Sequence, residues 1–224
     1  KLVFDGIYSL LITLLTMSAG RLLWSSLSGM EITLFTLLCI LIFQNHLKEI
    51  GTGKLTIING LLLGIAANTR PETYLLAGIY YLTTLILLKD NFKQNIGRLI
   101  LSGLIFVILL LPYPLFSYIY TGGFLPNTYE GQVGSAKYLP NFIFILESAK
   151  IFIKDNFLIF ILWVSGSCYF VYTLVKRKVD RKFLLVNLWV ILLPLVSSFI
   201  APNWRHHGRY LIPLIPFINI IAIY

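Results

Sequence analysis

The stretch "GLLLGIAANTRPETYLL", residues 60 to 76, decides how the rest of the chain is read. Two apolar runs meet at Asn68-Thr69-Arg70-Pro71-Glu72, so a cation and an anion stand where the surrounding sequence is fit for hydrocarbon. A charged side chain at the centre of a bilayer costs about 2.5 to 3.5 kcal/mol on insertion scales. Pro71 removes an amide donor, disfavours helix at Arg70 and suits the first position of a following helix. The stretch therefore predicts two helices joined by a tight polar turn, with Arg70 and Glu72 at the rim.

Composition identifies the solvent. Apolar residues make up 58% of the chain, charged residues 12%, and mean hydropathy is +0.83. A soluble 25.5 kDa globule would lack the polar surface to face water. A membrane-spanning helix needs about 17 to 25 mostly apolar residues. We read spans at 6–24 (interrupted by Arg21), 30–44, 55–69, 72–88, 99–120, 157–175, 183–201 and from 211 onward. The expectation is an all-α polytopic transmembrane bundle of about eight spans, forming a single transmembrane domain over 1–224. Residue 1 is Lys and the last span has run 14 residues when the sequence stops, so the chain is read as a fragment truncated at both ends.

The bases give the orientation. Connections 45–54, 89–98 and 176–182 carry Lys48, Lys54, Lys89, Lys93, Arg98, Lys176, Arg177, Lys178, Arg181 and Lys182, and they alternate in the span order. By the positive-inside rule these face the cytoplasm, which points to a multi-pass protein of a bacterial plasma membrane. The net charge of +9 is then a topology signal. The "KRKVDRK" run joins two spans without aromatic or fold context, so a nucleic-acid partner is not expected.

The opposite surface collects "SSLSGME" (25–31), "NTRPET" (68–73), "TGGFLPNTYEGQVGSAKYLPN" (121–141) and "APNWRHHGRY" (201–210). Gly, Pro and charge gather on one side, which predicts an extracytoplasmic site built from loops and helix ends. Arg70 and Glu72 admit two readings. One is a snorkelling Arg with a Glu favoured by the helix dipole; the other is an Arg fork that grips phosphate or carboxylate, held by Glu72. Ser28 and Glu31 have capping-box spacing, and Glu31 could instead pair with Arg21 or Arg70 or line the site.

Loop 121–141 is long enough to suggest function. After it, "NFIFILESAKIFIKDN" places Glu147, Lys150 and Lys154 at helical spacing, which predicts an interfacial helix on the outer surface. "NWRHHGRY" supplies Arg205, His206, His207 and Arg209 ahead of a span. Adjacent His residues without a third ligand make a weak zinc site. Anionic-lipid contact and a phosphate or pyrophosphate grip both fit these donors. Cys39 and Cys168 fall within spans and are read as small hydrophobes.

"SGMEITLFTLL", "GLLLGIAANTRPETYLL", "GGFLPNTYEG" and "NWRHHGRYLIPLIPF", in this order, resemble the integral-membrane glycosyltransferases of the GT-C superfold. The similarity is to the bacterial group that includes cell-wall arabinofuranosyltransferases and related polyprenyl-phosphate-sugar transferases. The resemblance implies transfer of a sugar from a polyprenyl-phosphate donor to a lipid-linked, glycan or protein acceptor outside the cytoplasm. A carboxylate would deprotonate the acceptor hydroxyl while Arg and His stabilise the leaving phosphate. In that superfold the catalytic Asp lies in a first extracytoplasmic loop, and no such loop stands here. Asp5 falls on the cytoplasmic side, so the base is assigned to no residue of this sequence. Glu31, Arg70, Glu72, Asn127, His206, His207 and Arg209 are the substrate-binding candidates. No cofactor is implied, a divalent metal is not indicated, and the partners expected are the lipid-linked donor, the acceptor and the bilayer. The alternative is a transporter or flippase for a lipid-linked sugar or anionic solute.

Overall fold

The computed structural model describes residues 6–29, 31–123, 142–176, 178, 180–200 and 207–223. Among them the chain is all-helical. In chain order the helices are α1 (Gly6–Met17), α2 (Gly20–Leu27), α3 (Ile32–Thr52), α4 (Ile58–Ala67), α5 (Thr73–Leu87), α6 (Phe92–Leu110), α7 (Pro112–Thr121), α8 (Phe142–Val175), α9 (Leu184–Ile200), α10 (His207–Leu211) and α11 (Ile215–Ile223). The chain divides into two compact units, residues 1–36 with 138–224 and residues 37–137.

Two stretches, Ile32–Thr52 and Lys89–Thr121, are long and apolar enough to cross a membrane. Two bent pairs raise that number to four if each is one span: α1 with α2, bent by 61°, and Phe142–Leu158 with Phe160–Val175, bent by 106°. Four apolar helices of 10 to 17 residues accompany them: Ile58–Ala67, Thr73–Leu87, Leu184–Phe199 and Arg209–Ile223. Many exposed side chains are large hydrophobics, among them Leu101, Leu104, Val107 and Ile108 on α6. Such a surface suits hydrocarbon better than water.

The bends have local causes. Asn156 takes φ −158° and ψ 99°, an extended conformation that breaks the helical ladder of α8 between its two segments. At the first bend, the backbone N–H of Ser18 still reaches Leu14, while Leu22 and Leu23 start a new ladder on Ala19. The break therefore falls before Arg21, the residue at which the sequence suggested an interruption.

The unit of residues 37–137 is organised by α4 against α6. Gly60 and Gly64 make this possible, because a Cβ at Gly60 would meet the backbone carbonyl of Ser102, and one at Gly64 would meet Leu109. Small residues four apart let helix backbones approach, the packing that membrane helices favour. Asn68 then joins the pair, its Nδ2 donating to the Gly64 carbonyl and the Leu109 carbonyl, both at 2.8 Å. The core around them is apolar and includes Leu38, Ile42, Leu55, Leu63 and Leu76.

In the other unit, α8 and α11 meet at Gly166, where a Cβ would stand 2.7 Å from Ile221 Cγ2. Asn219 on α11 donates to Thr16 Oγ1 on α1 at 3.0 Å. Trp189, Val190 and Leu193 of α9 are buried with Phe217 and Ile218 of α11.

Candidate functional site

The turn between α4 and α5 brings Arg70 and Glu72 together. Arg70 Nη2 lies 2.7 Å from Glu72 Oε1, and Arg70 Nε donates to both carboxylate oxygens at 3.2 Å. The pair is buried, with 5% of Arg70 and 10% of Glu72 exposed. The turn is built from local bonds: Arg70 N–H to the Ala66 carbonyl, Thr69 Oγ1 to the same carbonyl, and Thr73 Oγ1 to the Arg70 carbonyl at 2.8 Å. Pro71 stands two residues ahead of α5 instead of at its first position, and Glu72 caps α5 without a side-chain cap bond because its carboxylate is turned to Arg70. Within this unit the Arg70 side chain is turned to Glu72. The pairing is the one the turn sequence suggests.

The capping-box reading of 28–31 is corrected. Ser28 closes α2, its N–H bonding to the Trp24 carbonyl and its Oγ donating to the Ser25 carbonyl at 3.0 Å. Gly29 follows at φ +67°, the left-handed conformation that Gly adopts without strain. Helix α3 begins at Ile32, so Glu31 precedes it, and the Glu31 carbonyl accepts the Phe35 N–H. Glu31 is exposed and belongs to the unit of residues 1–36 with 138–224.

Arg209, in the same unit, is half-buried with its guanidinium carbon 5.7 Å from the Tyr210 ring centroid. His207 opens α10. Asn127 and His206 lie outside the described residues, as does most of loop 121–141. Glu147 and Lys150 form a 2.6 Å ion pair on the exposed side of α8. Cys39 is buried and Cys168 exposed, both as free thiols. Among the described residues no group of three or more His, Cys, Asp or Glu could hold a metal ion.

A second buried charged cluster lies at the other end of α4, and the sequence reading missed it. Helix α3 does not stop near residue 44; it continues to Thr52 and carries Asn45, His46 and Glu49 inward. The Glu49 carboxylate is 1% exposed and accepts from five donors. Oε1 receives Thr56 N–H at 2.8 Å, Thr56 Oγ1 at 2.7 Å and Asn45 Nδ2 at 3.3 Å. Oε2 receives Tyr80 O–H at 2.9 Å and Asn59 Nδ2 at 3.0 Å.

His46 Nδ1 is 3.8 Å from Glu49 Oε2, and the His46 ring stands edge-on to Tyr80 with centroids 5.3 Å apart. Neither ring nitrogen of His46 has a hydrogen-bond partner among the described residues. Gly53, at φ +67°, ends α3, and Asn95 of α6 pins the turn through Leu55 N–H at 2.8 Å and the Gly53 carbonyl at 3.0 Å. The signal available in sequence was spacing: Asn45, His46 and Glu49 share one helical face, by the i to i+4 and i to i+3 rule.

With this geometry the class is defined: an all-helical protein, with helices long and apolar enough to span a membrane and buried charged side chains at helix ends. No family model, no curated protein and no solved structure matches the chain.

Proposed function

We propose that the protein is a GT-C-type membrane glycosyltransferase of the cell envelope, which transfers a sugar from a polyprenyl-phosphate donor to an extracytoplasmic glycan, lipid-linked or protein acceptor. The observation that carries this reading is the buried Arg70–Glu72 pair at the turn between two apolar helices. A charged pair retained between two apolar helices of a membrane protein is a functional-site candidate, because apolar residues would be cheaper there. A guanidinium fork suits phosphate, and Glu72 holds it in orientation.

Eight crossings follow if the two long helices, the two bent pairs and the four shorter apolar helices each form one span. On that reading the part of α8 before Asn156 lies on the outer surface, Phe160–Val175 makes the crossing of that pair, and the Lys-rich connections face the cytoplasm. Short spans such as Ile58–Ala67 are tolerated by local thinning of the bilayer and by flanking residues. Arg209 and His207, at the entrance to the last span, would supply further phosphate donors.

The test is sugar transfer by the intact protein in proteoliposomes supplied with polyprenyl-phosphate-linked sugars. Removing a charge-assisted hydrogen bond costs about 1.5 to 3 kcal/mol, so Arg70→Gln should lower transfer by about 10- to 100-fold. Transfer that survives in both Arg70→Gln and Arg209→Gln contradicts the phosphate grip.

The Glu49 cluster favours a second reading. Ionisable groups buried at both ends of α4 are what a transporter or flippase would use to line a path. Lipid movement between leaflets without sugar transfer, lost in Glu49→Gln, would select it.

A further inference from the structure

Within the unit of residues 37–137, the end of α4 away from Arg70 gathers five cations. Lys48 and Lys54 come from the last turns of α3 and the connection to α4, Lys89 and Lys93 from the connection between α5 and α6 and the first turn of α6, and Arg98 from its second turn. All five are exposed, and none makes an ion pair among the described residues. The two connections bring one exposed carboxylate, Asp90. Elsewhere the chain neutralises its cations locally, as Arg70 does with Glu72 and Lys150 with Glu147.

The two connections form one surface because α6 holds the turn between α3 and α4. Asn95 Oδ1 accepts the Leu55 N–H at 2.8 Å, and Asn95 Nδ2 donates to the Gly53 carbonyl at 3.0 Å. Lys54 stands between those two anchored residues. Arg98 Nη1 donates to the Leu55 carbonyl at 3.3 Å, which sets the guanidinium against the same turn. A guanidinium carries five N–H donors, so Arg98 keeps donors for a ligand beside Lys54. Helices α4 and α6 both begin at this end, and their positive dipole ends add to the charge.

Beyond Arg98 the surface of α6 becomes apolar. Arg98, Leu101, Ile105 and Ile108 follow one another at three- and four-residue spacing, which places them in one row along the helix. Leu101 is 47% exposed and Ile108 63%. Cations at the head of an exposed apolar row suit a molecule with a phosphate and a long hydrocarbon chain. Arg meets phosphate oxygens through a planar fork and Lys adds a point charge. A free anion or an acidic peptide would leave the apolar row uncovered, whereas basic clusters beside membrane helices bind anionic lipid headgroups.

We propose that Lys54 and Arg98 hold the phosphate of an anionic phospholipid, with an acyl chain along Leu101 and Ile108. The inference rests on the membrane setting and not on sugar transfer, since the site lies at the opposite end of α4 from the Arg70 turn.

Native mass spectrometry of the intact protein in micelles, titrated with phosphatidylglycerol or with phosphatidylcholine of the same chains, tests it. One phosphatidylglycerol should bind at least tenfold more tightly than phosphatidylcholine, and less tightly as salt rises. Lys54→Gln, whose side chain holds no part of the turn, should lose about threefold of that preference. Lys54→Gln combined with Arg98→Gln should bring the two lipids within about twofold of each other. A control variant, Lys150→Gln with Lys154→Gln, removes the same charge from exposed positions of α8 and should keep the preference. Glycerol phosphate, a headgroup without chains, should not displace the lipid at equal concentration. Equal affinity for the two lipids, an unchanged preference in the Lys54 and Arg98 double variant, an equal loss in the α8 control, or displacement by glycerol phosphate overturns the proposal. Sugar transfer is read separately, so its absence defeats the glycosyltransferase and leaves this site standing.

Discussion

Glu49 and Arg70 are both charged, both buried and placed at opposite ends of α4, yet they are held in different ways. Glu49 is gripped by donors from α3, the turn at residue 56, the start of α4 and the middle of α5. Arg70 meets its carboxylate two residues along the same turn. An anion bonded by several elements ties those elements together, and its removal loosens them all. Arg70 and Glu72 pair within one turn of chain, so their ion pair fixes the turn at which the two apolar helices meet. The difference separates a structural tie from a functional candidate.

The largest effect should come from breaking the tie. Glu49→Ala strands five donors in a buried space and should cost about 4 kcal/mol of stability, by analogy with removal of one partner from a buried charged pair. Unfolding in nanodiscs reads this, and a loss below about 1 kcal/mol would refute the tie. Next is the helix contact that frames both charges. Gly60→Val drives a branched side chain into the Ser102 carbonyl and should cost about 2 to 3 kcal/mol through overpacking. Tyr80→Phe removes one neutral donor from Glu49 and should cost about 1 kcal/mol. The smallest change is expected at Lys150, whose ion pair with Glu147 is 61% exposed on the Lys side; Lys150→Ala should shift stability by less than about 0.5 kcal/mol.

The same contrast explains what could be read from sequence. Apolar length located α5 and α9 closely, at Thr73–Leu87 and Leu184–Ile200 against readings of 72–88 and 183–201. The Arg70–Glu72 pairing was legible because both residues and the proline that shapes their turn are neighbours. Helix α3 was cut short at residue 44 because Asn45, His46 and Glu49 look like the polar start of a loop. Glu49 is helical and buried because Thr56, Asn59 and Tyr80 supply its partners from up to 31 residues away. Long-range compensation of that kind leaves no mark on local hydropathy. Ser28 misled for the converse reason: its spacing to Glu31 fits a cap at a helix start, while Gly29 turns the chain between them and gives Ser28 to the helix behind. The sequence suggested an interfacial helix up to residue 156 and a separate span at 157–175, and the helix is broken at Asn156. The close approach of Gly166 to Ile221 depends on how α8 and α11 meet, which periodicity does not specify.

The central claim is that Arg70 serves an anionic lipid while Glu49 serves the fold. Binding of polyprenyl phosphate to the intact protein, followed by native mass spectrometry on wild type, Arg70→Gln and Glu49→Gln, tests it most directly. The account predicts that folded Arg70→Gln weakens binding at least tenfold, while folded Glu49→Gln, although less stable, keeps its affinity for the lipid. Wild-type affinity in Arg70→Gln, or an equal loss in folded Glu49→Gln, would contradict it.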